Sequence, residues 1–286
     1  MTQTQRRFFL ITELLSEDGG EAAAYFGVEK KNGAYEIPND EKTQRDLLRA
    51  LMNIRQPLPI SNEFLKIQDE YLQELNRERG FTDIVDLKPV KTAKPIKTVQ
   101  GDSGNYELYL WQGDITTLKV DAIVNAANSQ MLGCFSPLHA CIDNCIHTYA
   151  GIQLRLECDK IMKKQGHAEP TGQAKITSAY NLPCRYVLHT VGPIINFSVR
   201  NEDKILLASC YKNCLEKASE KNLESVAFCC ISTGVFRFPA KLAAEIAVKT
   251  VEKWLTENLH KSVKKVVFNV FTSSDLQIYK AIFGAA

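Results

Sequence analysis

The stretch NAANSQMLGCFSPLHACID, residues 125–143, runs a turn-forming Asn/Ala segment straight into Cys134, His139 and Cys141. Two thiols and one imidazole in the spacing C-x4-H-x-C make a soft N/S donor set. Zinc takes such donors in tetrahedral geometry, and a catalytic zinc keeps three protein ligands and one open position. Pro137 stiffens the loop between the ligands. A helix starting near Leu138 would bring His139 and Asp143 onto one face, four residues apart. Asp143 could then orient a ligand or exchange protons at the open position. The residues alone leave a plainer reading open: Cys/His triples at short spacing arise by chance, and free cysteines often serve as small core residues.

Three further turns carry ligand-binding chemistry. GDIT (113–116) places Asp114 at a strand end, NAAN (125–128) places Asn125 and Asn128 at the next, and STGVFRFP (232–239) bends at Gly234 before a helix starting at Pro239. Backbone N–H groups of a glycine turn feeding a helix can cradle phosphate. Each turn alone is an ordinary strand end; three in one sheet suggest a ligand edge, because such folds bind at the carboxyl ends of their strands. Other tempting residues read as core: Cys210 and Cys214 at helical spacing, Cys229 and Cys230 on an apolar run, and His147 and His189 packed and hydrogen-bonded. His167-Ala168-Glu169 has the H-x-E of zinc deaminases. The P-C-x-x-C that should follow is absent, since Pro183-Cys184 lacks its second Cys, and that reading is rejected.

The elements that must position these residues divide the chain in two. Residues 1 to about 90 read as mainly helical. Thr43 is the expected N-cap of one helix that stops at Pro57, and Ser61 caps another that carries Phe64, Ile67, Tyr71 and Leu72 and ends at Gly80. LKPVKTAKPIKTVQGDSG, with two prolines and four lysines, reads as a surface linker. From Tyr106, the runs YELYLWQ, DAIVNAAN, AKITSAY, RYVLHTVGP, SVAFCCIST and KKVVFNVF read as strands. The helical patterns between them include PLHACIDNCIHTYAGIQLRLECDKIMKKQG, split near Gly151. The alternation predicts a three-layer α/β/α domain with a mixed, largely parallel central sheet.

Composition narrows the partners. With 286 residues, 45% hydrophobic and 24% charged, the chain reads as an ordinary globular protein. Lys+Arg 35 against Asp+Glu 33 leaves +2, which supplies no concentrated basic surface for nucleic acid. FFLITELL is short and broken by Glu13, so neither a signal segment nor a membrane span is expected. The expected location is cytoplasmic, with the nine cysteines mostly thiols.

Taken together, GDIT, DAIVNAAN, IDNCIH (142–147), TGQAKIT (171–177), HTVGP (189–193) and STGVF (232–236) resemble a macrodomain, an ADP-ribose-binding α/β module. The resemblance covers roughly residues 94–286 and leaves 1–93 as a mainly helical extension and linker. It implies that Asp114, with Ile115, binds the adenine end. It implies that Ser232, Thr233, Gly234, Val235 and Phe236 cradle the diphosphate, with Phe236 and Asn128 at the distal ribose. Arg237 and Phe238 stand where many members have Gly and Tyr. The glycine run that follows NAAN in hydrolytic members is replaced by CFSPLHAC, which resembles the GCFxPxHxCID signature of zinc-containing bacterial and fungal macrodomains. That implies zinc (Zn2+) on Cys134, His139 and Cys141 in a loop at 133–143, with Asn128 and Asp143 as catalytic residues. The implied activity is zinc-dependent hydrolysis of ADP-ribose from modified protein side chains. The implied counterparts are a sirtuin-type ADP-ribosyltransferase and a lipoyl-carrier protein as substrate. The alternative is a reader that binds ADP-ribose without turnover and uses zinc only to shape the loop.

Overall fold

In the computed structural model the described residues are 1–18, 20–31, 33–93, 105–258 and 261–284. They fall into two compact units. The first holds Met1–Gly80, Met131–Gly166 and Tyr180–Leu182; the second holds Phe81–Gln130, His167–Ala179 and Pro183–Ala286.

The first unit is helical. It contains α1 (Gln3–Asp18), α2 (Gly20–Tyr25), a two-residue ribbon of β1 (Lys30–Lys31) and β2 (Ala34–Tyr35), α3 (Glu41–Ile54), α4 (Asn62–Arg79), α5 (Ile142–Ala150) and α6 (Ile152–Gln165). Apolar residues three and four apart give each long helix one buried stripe: Leu10, Ile11, Leu14 and Leu15 on α1, Leu47, Leu48 and Leu51 on α3, and Phe64, Ile67, Tyr71 and Leu72 on α4 form one core with Ile152. Ser61 caps α4 by accepting from Phe64 N at 3.1 Å, and Gly80 at φ 79° ends it. The N-cap of α3 is Asp40, not Thr43. The Asp40 carboxylate accepts from Thr43 N at 2.8 Å, because Glu41 and Lys42 extend the helix upstream to the next good cap. The helical run after residue 140 is split at Gly151 (φ 98°) as expected. Gln68 Oε1 accepts there from Ile152 N at 3.0 Å, which supplies α6 with the capping acceptor that Gly151 lacks.

The second unit is built on a seven-stranded sheet. Its elements are β3 (Thr82–Asp83), β4 (Lys91–Ala93), β5 (Tyr106–Gln112), β6 (Leu118–Lys119), β7 (Ala122–Ala127), β8 (Ala174–Ser178), β9 (Tyr186–Val191), α7 (Asn201–Glu220), β10 (Ser225–Phe228), α8 (Ala240–Glu257), β11 (Lys265–Val270) and α9 (Ser273–Phe283). The sheet order is β4-β5-β11-β10-β7-β9-β8, and β3 pairs with β6. The five inner strands run parallel, with antiparallel β4 and β8 at the edges. The mixed, largely parallel sheet expected from the sequence is therefore present. Buried parallel strands read as continuous apolar runs, and Leu108, Ile123, Val124, Val187, Leu188, Val226, Val266 and Val267 are fully buried. Helix α7 packs on α8 and along β8 and β9, while α9 packs on β5 and β11. Part of the expected linker is a strand: Thr92 pairs with Glu107 at the sheet edge. Its later part, 94–104, lies outside the described residues. Among the described residues no helix is long and apolar enough to cross a membrane.

Because the inner strands are parallel, their carboxyl ends line one edge of the sheet. Asp114 follows β5, Asn128 follows β7, Gly192 follows β9 and Ser232 lies four residues past β10.

Candidate ligand cradle and candidate metal loop

At the end of β5, Asp114 caps a one-turn 3-10 helix, Ile115–Thr117. Its Oδ1 accepts from Thr116 N at 2.9 Å and from Thr116 Oγ1 at 2.6 Å, so the half-buried carboxylate is held in one orientation. The Trp111 ring occupies the space a side chain at Gly113 would need, and Asn269 Nδ2 donates to Gly113 O at 2.9 Å. A fixed carboxylate at a strand end is a strong acceptor for an exocyclic amine. Ile115, the first residue of that turn, is 1% exposed.

Asn128 follows β7, and its Oδ1 accepts from Gln130 N at 3.0 Å. Asn125 is not at the strand end as expected but inside β7, fully buried, its Nδ2 3.1 Å from His189 Nδ1. The other ring nitrogen, Nε2, lies 2.9 Å from Thr177 Oγ1. Burial pushes His189 down to about 3, so it is a neutral structural group at ordinary pH.

The loop at 232–238 closes on its own backbone. Phe238 N donates to Ser232 O at 2.9 Å, Arg237 N to Gly234 O at 3.0 Å, and Ile195 N to Phe236 O at 2.9 Å. Its bends come from Ser232 (φ 65°) and Arg237 (φ 60°), not from Gly234 as expected. Non-glycine residues adopt this region only when their surroundings over-determine it. Gly192 is one such surrounding: a Cβ there would strike the Ser232 hydroxyl and come within 2.9 Å of Ile231 Cγ2. Ser232 is 5% exposed. Its Oγ has no hydrogen-bond partner among the described residues. Nor does a described backbone carbonyl accept from the amides of Gly234, Val235 or Phe236. Helix α8 starts just beyond, with Pro239 as N-cap. Successive amides ahead of a helix N-terminus present partial positive charge to an anion.

The first unit carries the Cys/His loop. One ligand atom each of Cys134, His139 and Cys141 lies within 4.8 Å of the other two, and Cys134 Sγ is 3.5 Å from His139 Nδ1. Sequence spacing expects a helix from Leu138, but α5 begins at Ile142. Leu138 is left-handed at φ 57°, and Cys141 is the N-cap, its Sγ accepting from Asn144 N at 3.4 Å. His139 therefore joins the cysteines from a reverse turn rather than from a shared helix face with Asp143. Asp143 sits in the first turn of α5, 5% exposed, with Oδ1 3.6 Å from His147 Nε2. Gly133, at φ 83°, passes over the His147 ring, where a Cβ would come within 2.8 Å. Cys145, one helical turn after Cys141, stands outside the close trio and takes Arg49 Nη2 at 3.9 Å.

These residues fit a zinc ion in donor chemistry. Burial, with Cys134 and Asp143 nearby, pushes the Cys141 thiol up to about 12. A coordinated cation would oppose that shift by taking the thiolate directly. The trio is intermediate, exposed and intermediate in exposure, so the loop is reachable.

Residues that local pattern did not single out hold this loop. Arg155, 4% exposed, donates to Leu132 O at 2.7 Å, Met52 O at 3.0 Å and Arg55 O at 2.6 Å, and its guanidinium lies 4.3 Å from the Phe135 ring centroid. Burial lowers its pKa to about 10, with Asp143 countering as the nearby negative charge. Asn144 Nδ2 donates to Cys134 O at 3.3 Å and to Ser136 O at 3.0 Å. Helix α3 contributes Arg49 and Asn53. The only signal for these is that polar residues interrupt otherwise apolar helix faces.

The Macro domain family matches residues 124–247. A protein of Treponema medium named protein-ADP-ribose hydrolase is 56% identical over 282 residues, 99% of each chain. One of the same name from Staphylococcus aureus strain MSSA476 is 52% identical over 255 residues, 88% of this chain and 89% of its own. A Fusarium oxysporum protein named probable bifunctional ADP-ribose hydrolase/ADP-ribosyltransferase is 42% identical over 247 residues, 40% of its own length. Among solved structures, the Trypanosoma brucei macrodomain in complex with ADP-ribose matches with TM-score 0.61 at 28% identity, over 82% of this chain and 94% of that one. The Oceanobacillus iheyensis macrodomain with ADP gives TM-score 0.56 at 36% identity, over 67% of this chain and 95% of that one. The chain belongs to the macrodomain family, in the branch whose relatives carry the name protein-ADP-ribose hydrolase.

Proposed function

We propose that this chain is a zinc-dependent hydrolase that removes ADP-ribose from modified protein side chains. The observation that carries hydrolysis is the 56% identity, over 99% of both chains, to a relative named for it. The observation that carries the metal is the trio of Cys134, His139 and Cys141 within 4.8 Å. Three protein donors of N/S type leave a tetrahedral ion one open position, the arrangement of catalytic rather than structural zinc.

Each residue then has a task. Asp114 accepts from the adenine amine, with Ile115 packed beneath the ring. The amides at 234–236 and the Ser232 hydroxyl hold the diphosphate, aided by Thr233 and the N-terminus of α8. Phe236 borders the distal ribose, and Asn128 faces its hydroxyls. The scissile bond joins the anomeric carbon of that ribose to a side-chain atom. Water adds at the carbon, the side-chain atom leaves and takes up a proton, and free ADP-ribose and the unmodified side chain result. Asp143 moves that proton or orients the group that does. Zinc, when bound, supplies a Lewis acid for the reaction.

The substrate is an ADP-ribosylated protein, and we infer a lipoyl-carrier protein as its carrier. The fungal relative, whose name joins hydrolase and transferase in one chain, supports a transferase counterpart; we infer the sirtuin type. We further infer a cytoplasmic setting, and a division at residue 93 between a helical extension and a macrodomain spanning 94–286. A turnover assay on an ADP-ribosylated protein tests the activity. Release of ADP-ribose supports it, whereas tight ADP-ribose binding without release would identify a reader.

A further inference from the structure

The N-terminal helices invite a separate role, yet within the first unit they touch the metal loop at defined atoms. Arg49 on α3 donates from Nη2 to His139 O at 2.9 Å and to Asn144 Oδ1 at 2.9 Å, across 90 and 95 positions of sequence. Asn53, one turn on, accepts at Oδ1 from Leu138 N at 3.1 Å and donates to Thr148 Oγ1 at 3.0 Å. Asn53 is 1% exposed, so its amide has no solvent alternative. The two carbonyls that receive Arg155, Met52 O and Arg55 O, stand at the carboxyl end of the same helix, where a cation is favoured. Asn144, oriented by Arg49, in turn grips Cys134 O and Ser136 O.

We propose that α3 is the positioning shell of the metal loop. Arg49 and Asn53 hold the reverse turn that carries His139, and through it set metal affinity. This role rests on the metal reading above and deepens it. Leu138 is left-handed, a conformation a leucine does not hold unaided. Its amide is tied to Asn53 and the next carbonyl to Arg49. Cutting either tie frees the turn, and His139 leaves the cysteines. Cys141 would remain, since it is fixed as the α5 cap. Arg49 and Asn53 touch the loop's backbone and not its donor atoms. They are positioning residues, which distinguishes them from ligands.

The test is zinc affinity of the full chain, read by competition with a chromogenic chelator, beside the visible spectrum of the cobalt-substituted protein. Partners that orient ligands are worth about tenfold to a hundredfold in metal affinity. Arg49→Gln and Asn53→Ala should each weaken zinc by about that factor and alter the cobalt bands through loss of the imidazole. Arg49→Lys and Asn53→Asp, which keep a donor to His139 O and an acceptor for Leu138 N, should recover part of the loss. Arg45→Gln, on the same helix but paired with Glu41 and Glu78, should change nothing. Asn53 is buried and its alanine variant risks the fold, so Arg49, half-buried, carries the decision, with ADP-ribose affinity as the independent measure of folding. Zinc bound equally by wild type and Arg49→Gln, with identical cobalt spectra, would overturn the proposal alone. A wild type that binds no zinc would remove the metal reading and the proposal with it.

Discussion

Two loops of this molecule have contrasting supports. The one at 232–238 is closed by its own backbone, with Phe238 N on Ser232 O and Arg237 N on Gly234 O, and one further bond from Ile195. The one at 133–141 is held by side chains from elsewhere: Arg49, Asn53, Asn144 and Arg155. The difference matches what each is proposed to hold. An anion is met by N–H groups, and a loop that spends few of its amides on internal bonds keeps the others available. A metal is met by side-chain donors, whose placement depends on outer partners that lock the backbone beneath them. The first device is compact in sequence and the second is dispersed.

Substitutions sharpen this contrast. Cys141→Ser should abolish turnover, since one ligand of three is lost, while only moderately weakening ADP-ribose binding; zinc content and calorimetry read the two separately. Asp143→Ala should slow hydrolysis by about 10²–10⁴ if the carboxylate moves the proton, with bound zinc nearly unchanged; metal loss in that variant would assign Asp143 to the metal loop's support instead. At the end of β5, Asp114→Ala should cost about 1.5–3 kcal/mol of ADP-ribose binding, a charge-assisted bond, and leave zinc alone. Unchanged affinity in the folded variant would remove Asp114 from the adenine end. Gly192→Ala should cost about 1–3 kcal/mol by overpacking Ser232 and Ile231, and should appear as weaker ADP-ribose binding without metal loss. Equal binding would mean that Ser232 can move aside at no cost.

The sheet was legible because its strands are short apolar runs flanked by turn residues, and parallel order follows from helices between them. Ser61 and Gly80 were legible as helix ends because capping is local chemistry. Thr43 misled for the same reason: an equally good cap stood three residues earlier. Local pattern also misplaced the bend at 232–238, because left-handed Ser232 and Arg237 leave no compositional mark and glycine does. It put a helix start at Leu138, where Asn53 instead holds a left-handed turn from 85 positions away. A polar residue that interrupts the apolar face of α3, as Asn53 does, does not by itself say which distant loop it holds. The grouping of Met131–Gly166 with the first eighty residues is likewise a property of packing that no local run announces.

The central claim is that this chain hydrolyses ADP-ribose from protein with zinc on Cys134, His139 and Cys141. Metal analysis of the purified protein, joined to turnover of an ADP-ribosylated protein before and after chelation, tests it most directly. The expected result is about one zinc per chain, turnover lost on chelation and restored by zinc, and no restoration in Cys141→Ser. Full turnover by metal-free protein would contradict it.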